Sequence, residues 1–256
     1  FFSSDFSNGS IVVLDGSGEE YTGGLYYGHG TNIECIEKFE VPNSLGGYYA
    51  TFTEYLGFKS DSEEGKLMAL ASYGEYCPVT QNLLDNFLSY DSKSGLFSLS
   101  LDYRFFGTRT YSPKFTDKLV SAFGPPRLPG EPITKHHKIL AYNVQWRLEA
   151  IVKLLAKRVI SKTGSANLCL SGGVAMNCKM NGAIATMTEV ENIYVQPASA
   201  DSGVALGAAM LCYLEEDSPS FQPMRHCYLG PMYSDDKILN ALNEAKVQYY
   251  RPKDII

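Results

Sequence analysis

The run Asn167-Leu-Cys-Leu170, followed at once by Ser171-Gly172-Gly173, constrains this chain more than any other stretch. Its apolar residues read as a buried strand, the glycine pair breaks it, and Val174 onward reads as the start of a helix. Glycines between a strand and a helix let a ligand touch bare backbone, where amide N–H groups can meet an anion or a polar ring. Asn177 follows four residues after the second glycine, where its amide side chain could read a base or a ribose. A merely tight strand-to-helix turn would show the same pattern, so the surrounding chain has to decide between them.

Upstream, Ser10-Ile-Val-Val-Leu-Asp15, Thr22 to Tyr27 and Ile33 to Phe39 read as three strands joined by glycine-rich turns, an antiparallel meander. Pro42-Asn43-Ser44 offers a helix N-cap, with Tyr48, Phe52, Tyr55 and Leu56 on one face before Gly57 closes the helix. Further helices are expected over Glu63 to Tyr73 and Gln81 to Leu88. The less regular stretch from about 89 to 132 reads as an insertion of loops and short strands, including Gly124-Pro-Pro-Arg-Leu-Pro-Gly130.

A long helix is expected from Thr134 to about Lys162, with Leu140, Val144, Leu148, Ile151, Leu155 and Val159 forming one apolar stripe and Gly164 as its C-terminal cap. The strand to Leu170 is followed by a helix over Val174 to Met187, a strand over Ile193 to Gln196 and a small-residue helix over Val204 to Leu214. Three antiparallel strands, helices, then strand–helix–strand–helix predict one α/β domain of ribonuclease-H-like layout. The sheet is mixed, helices cover both faces, and a helical and loop segment is inserted.

With 256 residues the chain can bury one sizeable core or two small ones. A net charge of −6 without a Lys/Arg block argues against nucleic acid as a partner. No apolar run approaches the ~18 residues that cross a bilayer, so no membrane association is expected. Six scattered cysteines form no C-x-x-C pair, and Cys169 and Cys212 lie in apolar contexts. Buried reduced thiols in a cytoplasmic protein are therefore expected, rather than disulfides or zinc. Phe1 is no initiator, and Arg251 to Ile256 looks like the lead-in to a further element, so the chain reads as a piece of a longer protein.

Two further stretches carry chemistry. At the end of the first strand, Asp15-Gly16-Ser17-Gly18 could hold a metal-bound polyphosphate or orient a water, and it could equally be a plain hairpin turn. Asp201-Ser-Gly-Val-Ala-Leu-Gly-Ala-Ala209 follows another strand, and Asp201 could be a helix cap or a hard oxygen ligand. Strand ends at Asp15, at Ser171 to Gly173 and at Asp201 would converge on one cleft, since open α/β sheets bind ligands beyond the carboxyl ends of their strands.

Seven segments, in order, carry a resemblance: Val12 to Glu19, Pro42 to Tyr49, Leu56 to Phe58, Glu64 to Gly74, Leu170 to Cys178, Asp201 to Ala209 and Tyr228 to Pro231. Together they resemble the O-carbamoyltransferases of the nodulation and antibiotic-biosynthesis type. Those enzymes share a Kae1-like domain with the universal tRNA threonylcarbamoyladenosine synthase, in the actin/Hsp70/sugar-kinase superfold. The resemblance implies ATP and carbamoyl phosphate as substrates, a carbamoyl-adenylate intermediate, and transfer to a hydroxyl of a sugar or antibiotic-like small-molecule acceptor. It implies that Ser171, Gly172, Gly173 and Asn177 contact the nucleotide and that Gly16 and Gly18 face the phosphates or the carbamoyl group. Asp15 and Lys66 would serve catalysis, and Asp201 would bind a divalent metal, Fe2+ in this family with Mg2+ as the alternative.

The family's two other metal ligands are histidines in a His-x-x-x-His motif, expected upstream of Phe1. None of His29, His136, His137 or His226 fits that motif; His136 and His137 read as solvated residues near a helix start, and His29 as a turn residue. A C-terminal YrdC-like domain is expected after Ile256, with residues 228–256 leading into it, and a homodimer is compatible with the family. The chain alone is then not expected to complete the reaction. Two alternatives stand beside this reading: a sugar-kinase-like phosphotransferase of the same superfold, and a non-catalytic nucleotide-binding module.

Overall fold

The computed structural model describes residues 1–106, 113–216 and 219–250. The chain divides into two compact units, Phe1–Pro223 and Met224–Ile256. In the first, β1 (Asn8–Leu14), β2 (Tyr21–His29) and β3 (Asn32–Glu40) form the predicted antiparallel meander. Strands β6 (Asn167–Ser171) and β7 (Asn192–Val195) add in parallel on the far side of β1, giving the order β3-β2-β1-β6-β7. This is the ribonuclease-H-like arrangement of a mixed sheet with helices, as the element order predicted.

The core is set by two helices. All six residues of the predicted stripe on α5 (Lys135–Thr163) are buried, none more than 1% exposed. At about 1.5–3 kcal/mol for each buried aliphatic side chain, this stripe outweighs the roughly 1 kcal/mol of a helix cap. Packing therefore holds α5 in place, and the caps fix where it starts and stops. Thr134 and His137 form a capping box at its start, and Gly164, in the left-handed region at φ 72°, ends it as expected. His136 Nε2 lies 2.9 Å from the Phe123 carbonyl. The two histidines read as solvated thus have structural tasks at this helix start.

On α1 (Leu45–Tyr55) and its C-cap, Tyr48, Phe52, Tyr55 and Leu56 are fully buried. Phe52 meets Phe123 edge-on at 5.5 Å and Phe87 at 5.7 Å, joining α1 to α3 (Pro78–Phe87) and α4 (Asp117–Phe123). The predicted helix from Glu63 is shorter, with α2 spanning Glu64–Leu70 and a 3₁₀ turn over Ala71–Tyr73.

The 89–132 stretch contains β5 (Leu96–Leu99), paired with β4 (Leu88–Asp91), and α4. Its Pro/Gly-rich part is held to the end of α1 through Arg127, whose Nε donates to the Leu56 carbonyl at 2.6 Å and whose Nη1 donates to the Glu131 carbonyl at 2.6 Å.

Cysteine burial departs from expectation. Cys169 is buried, Cys77 half-buried, and Cys35, Cys178, Cys212 and Cys227 are exposed, all as free thiols. Cys212 is exposed because α7 (Val204–Tyr213), although apolar nearly throughout, buries none of its residues. In the second unit α8 (Asp235–Glu244) is capped by Ser234, with Asp235 and Asp236 in the first turn, where they suit the helix dipole. No helix among the described residues is long and apolar enough to cross a membrane.

Burial raises the phenol pKa values of Tyr48 and Tyr49 above the ordinary tyrosine value, and that of Tyr55 to about 12. An unfolded chain would release these protons near pH 10 while the native state keeps them, so unfolding is favoured as pH rises. Stability should be undiminished below pH 10. Above it, each of the three tyrosines should remove about 1.4 kcal/mol per pH unit until its folded pKa is reached. Urea unfolding at pH 9, 10 and 11 checks this; an unchanged midpoint at pH 11 would refute it.

Candidate functional site

Strands β1, β6 and β7 run parallel, so their carboxyl ends lie at one edge of the sheet. At the end of β1, Asp15 Oδ1 accepts from the Gly16 N–H at 2.7 Å. Ser44 caps α1 by accepting from the Gly47 N–H at 2.8 Å, and its hydroxyl lies 2.5 Å from the Gly16 carbonyl and 3.0 Å from that of Asp15. The helix start sits so close that a Cβ on Gly46 would fall 2.6 Å from the Gly16 nitrogen. The Pro42-to-Tyr49 segment therefore holds the Asp15 turn as well as starting a helix.

At the end of β6, Gly172 adopts φ 87° and donates to the Ser199 carbonyl at 2.8 Å. A Cβ there would stand 2.1 Å from the Leu14 carbonyl oxygen, so a side chain is excluded on conformational and steric grounds alike. Gly172 thus joins three strand ends: its own, that of β1, and the loop after β7 that leads to Asp201. Gly173 lies under the Asp15 carboxylate, with Oδ1 3.0 Å from where its Cβ would be.

The helix predicted from Val174 to Met187 is in fact divided. A 3₁₀ turn spans Gly173–Met176, Asn177 is extended at ψ 92°, and α6 begins at Cys178 and ends at Ala185. The cause is the Asn177 side chain, whose Oδ1 accepts from the Met180 N–H at 3.0 Å and caps α6. Its Nδ2 donates to Gln145 Oε1 at 2.9 Å, Gln145 Nε2 donates to Asn177 Oδ1 at 3.0 Å, and Tyr49 donates to Gln145 Oε1 at 2.7 Å. This network fixes the Asn177 amide, and Gln145 is its anchor on α5.

One cavity of about 540 Å³ gathers Asp15, Gly16, Gly173, Asn177 and Asp201. That volume suits a small-molecule ligand. Met68, Leu148, Val174 and Met176 supply apolar wall, and Asp61 and Glu64 add carboxylates not singled out from sequence. Glu64 lies in the Glu64-to-Gly74 block, whereas nothing local marked Asp61, nor Gln145 beside the α5 stripe.

Four predicted site residues lie outside the lining. Gly18 closes the β1–β2 turn through its N–H to Tyr21, Ser171 faces the Ser199 carbonyl at 3.4 Å, and Gly172 is in the packing junction. Lys66 pairs with Glu63 at 2.5 Å on the exposed side of α2. Among the described residues the lining has four carboxylates (Asp15, Asp61, Glu64, Asp201) and no Lys or Arg. No three His, Cys, Asp or Glu side chains group as a metal site among the described residues, and Asp201 stands in the lining as a single carboxylate.

Comparison with known proteins places this geometry in context. A sequence model described as the carbamoyltransferase N-terminus matches residues 1–210. An uncharacterized protein of Synechocystis sp. is 37% identical over the whole chain, which covers 42% of that protein. The nodulation protein NolNO of Sinorhizobium fredii is 32% identical over 93% of the chain, covering 33% of its own length. The nodulation protein NolO of Bradyrhizobium diazoefficiens is 32% identical over 90% of the chain and 40% of itself. The chain thus spans less than half the length of these curated relatives.

Two adjacent glycines should separate packing from ligand contact. Gly172→Ala should destabilise the fold by at least ~2 kcal/mol, from strain plus overpacking. Gly173→Ala should leave stability within about 1 kcal/mol and weaken ligand binding, because the added methyl occupies backbone that lines the cavity. Denaturant midpoints and calorimetric titration with nucleotide read the two effects, and equal destabilisation by both would refute the division.

Proposed function

The chain belongs to the carbamoyltransferase N-terminal family, and on that premise we propose that it forms the acceptor-side half of an ATP-dependent O-carbamoyltransferase. The reaction would move a carbamoyl group from carbamoyl phosphate, by way of carbamoyl-adenylate, to a hydroxyl of a sugar or antibiotic-like acceptor. The observation that carries the reading is the convergence of Asp15, Gly173, Asn177 and Asp201, from three parallel strand ends, on one cavity. Convergence alone would also suit a phosphotransferase; the family match favours carbamoyl transfer.

In this reading the apolar wall of Met68, Leu148 and Val174 receives a ring, and Asn177 orients it from its fixed position. The amides of Gly173 and Val174 precede the first hydrogen bond of their 3₁₀ turn, from Ala175 N–H to the Gly172 carbonyl, and in this reading would meet a phosphoryl oxygen. Asp15, held by the Gly16 N–H, is the carboxylate nearest that turn and would accept the proton of an attacking hydroxyl. A lining rich in carboxylates repels a polyphosphate, so a cation has to bring the charges into balance. Asp201 would provide one oxygen ligand to a divalent metal, iron or magnesium, with the remaining ligands coming from beyond the described residues. When bound, that metal would supply charge neutralisation and Lewis acidity.

Full-length protein should release pyrophosphate from ATP only when carbamoyl phosphate is present, and should carry about one divalent metal per chain. Asp201→Ala should lower metal content with folding intact by circular dichroism. Asp15→Asn should lower carbamoyl transfer by about 10²-fold or more, with ATP affinity within a few fold. Pyrophosphate release without carbamoyl phosphate would sink the carbamoyl reading, and unchanged metal content in Asp201→Ala would remove that residue from the metal site.

A further inference from the structure

Arg104 has an unusual environment for a guanidinium. It is 6% exposed, and burial lowers its pKa from the ordinary arginine value. Its Nε and Nη1 are buried without a hydrogen-bond partner among the described residues. The group lies flat against Gly47 in the first turn of α1, where a Cβ would stand 2.1 Å from Nη1 and 2.8 Å from Cζ. Glycine at that position makes room for it.

The neighbouring groups leave these two nitrogens without an acceptor. Asp61 is the carboxylate that acts on Arg104 electrostatically, but its Oδ2 is held at 2.9 Å by Lys114 Nζ, and Lys114 is itself 7% exposed. Glu54 accepts from the Lys114 backbone N–H at 2.9 Å. The Phe106 ring, 5.9 Å from Arg104 Cζ, is at the limit of a cation–π contact and offers no acceptor for the N–H groups. A helix N-terminus beside a cation adds a second positive pole. A buried guanidinium with two unpartnered nitrogens, set against the positive end of an eleven-residue helix, is costly unless an anion completes it.

We infer that Arg104 and the first turn of α1 form a site for an oxyanion, a phosphate or a carboxylate. Nε and Nη1, on opposite edges of the guanidinium, each lack an acceptor and suit a charge-assisted contact to an oxyanion oxygen, and a helix start beside them favours the same negative charge. Arg104 is outside the cavity lining, on the adjoining face of α1, so this site does not rest on the carbamoyl-transfer reading.

The test uses the full chain without nucleotide, at constant ionic strength, titrated with sodium phosphate and separately with sodium acetate. Phosphate or acetate should raise the thermal midpoint of the wild type. Arg104→Met, which removes the buried charge while keeping its volume, should fold at least as stably without ligand and weaken anion binding on the order of tenfold or more. Should Arg104→Met fail to fold, Arg104→Lys keeps the charge but not the planar, spaced N–H donors and should weaken binding several-fold. A response to phosphate alone assigns the site to a phosphoryl group, and a response to acetate alone assigns it to a carboxylate. No response to either anion in the wild type, or unchanged binding in the variant that folds, overturns the site.

Discussion

The molecule depends on backbone meeting backbone at the carboxyl end of β1. Gly172 presses on the Leu14 carbonyl, Gly46 presses on the Gly16 nitrogen, and Ser44 ties the start of α1 to the Asp15–Gly16 turn. These approaches leave no room for a side chain, so they fix the distance between β1, β6 and α1 more tightly than apolar packing could. The cavity follows from that distance. Its floor is the turn after β1, one wall is the 3₁₀ turn after β6, and α1 closes the side through Gly46, Tyr49 and Ala50.

Much of this was legible in the sequence because its signals were local. The α5 stripe repeats at helical spacing and is buried throughout, and Gly164 ends that helix as its position suggested. The mixed sheet of ribonuclease-H-like layout followed from the succession of elements. Other features depend on distant partners and were not legible. Nothing near Asn177 says that it caps α6 while a glutamine thirty-two residues earlier holds its amide. Asp61 reaches the cavity from the segment after α1, and only the fold brings it there. Cys212 was misjudged because apolar composition marks a helix that can be buried, whereas burial also needs a neighbour.

The electrostatics separate by place. Carboxylates line the cavity, while Arg104 and Lys114 lie buried behind the neighbouring face of α1 with Asp61 between the two regions. A ligand charge of either sign therefore finds an opposite charge within this part of the fold, but at different addresses. Binding a polyphosphate in the cavity calls for an added cation, and satisfying Arg104 calls for an added anion.

The contrast between α5 and α7 has a consequence for how the molecule opens. Helix α5 packs on β1, β2, α1, α2, α3 and α6, so its central amides can reach solvent only when the whole first unit comes apart. Helix α7 buries no residue and is too short to be stable by itself in water. Amide exchange should thus be slowest in α5 and β1 and fast in α7. Asp201 lies in the 3₁₀ turn that leads directly into α7, so opening of that helix would free the backbone that positions this carboxylate.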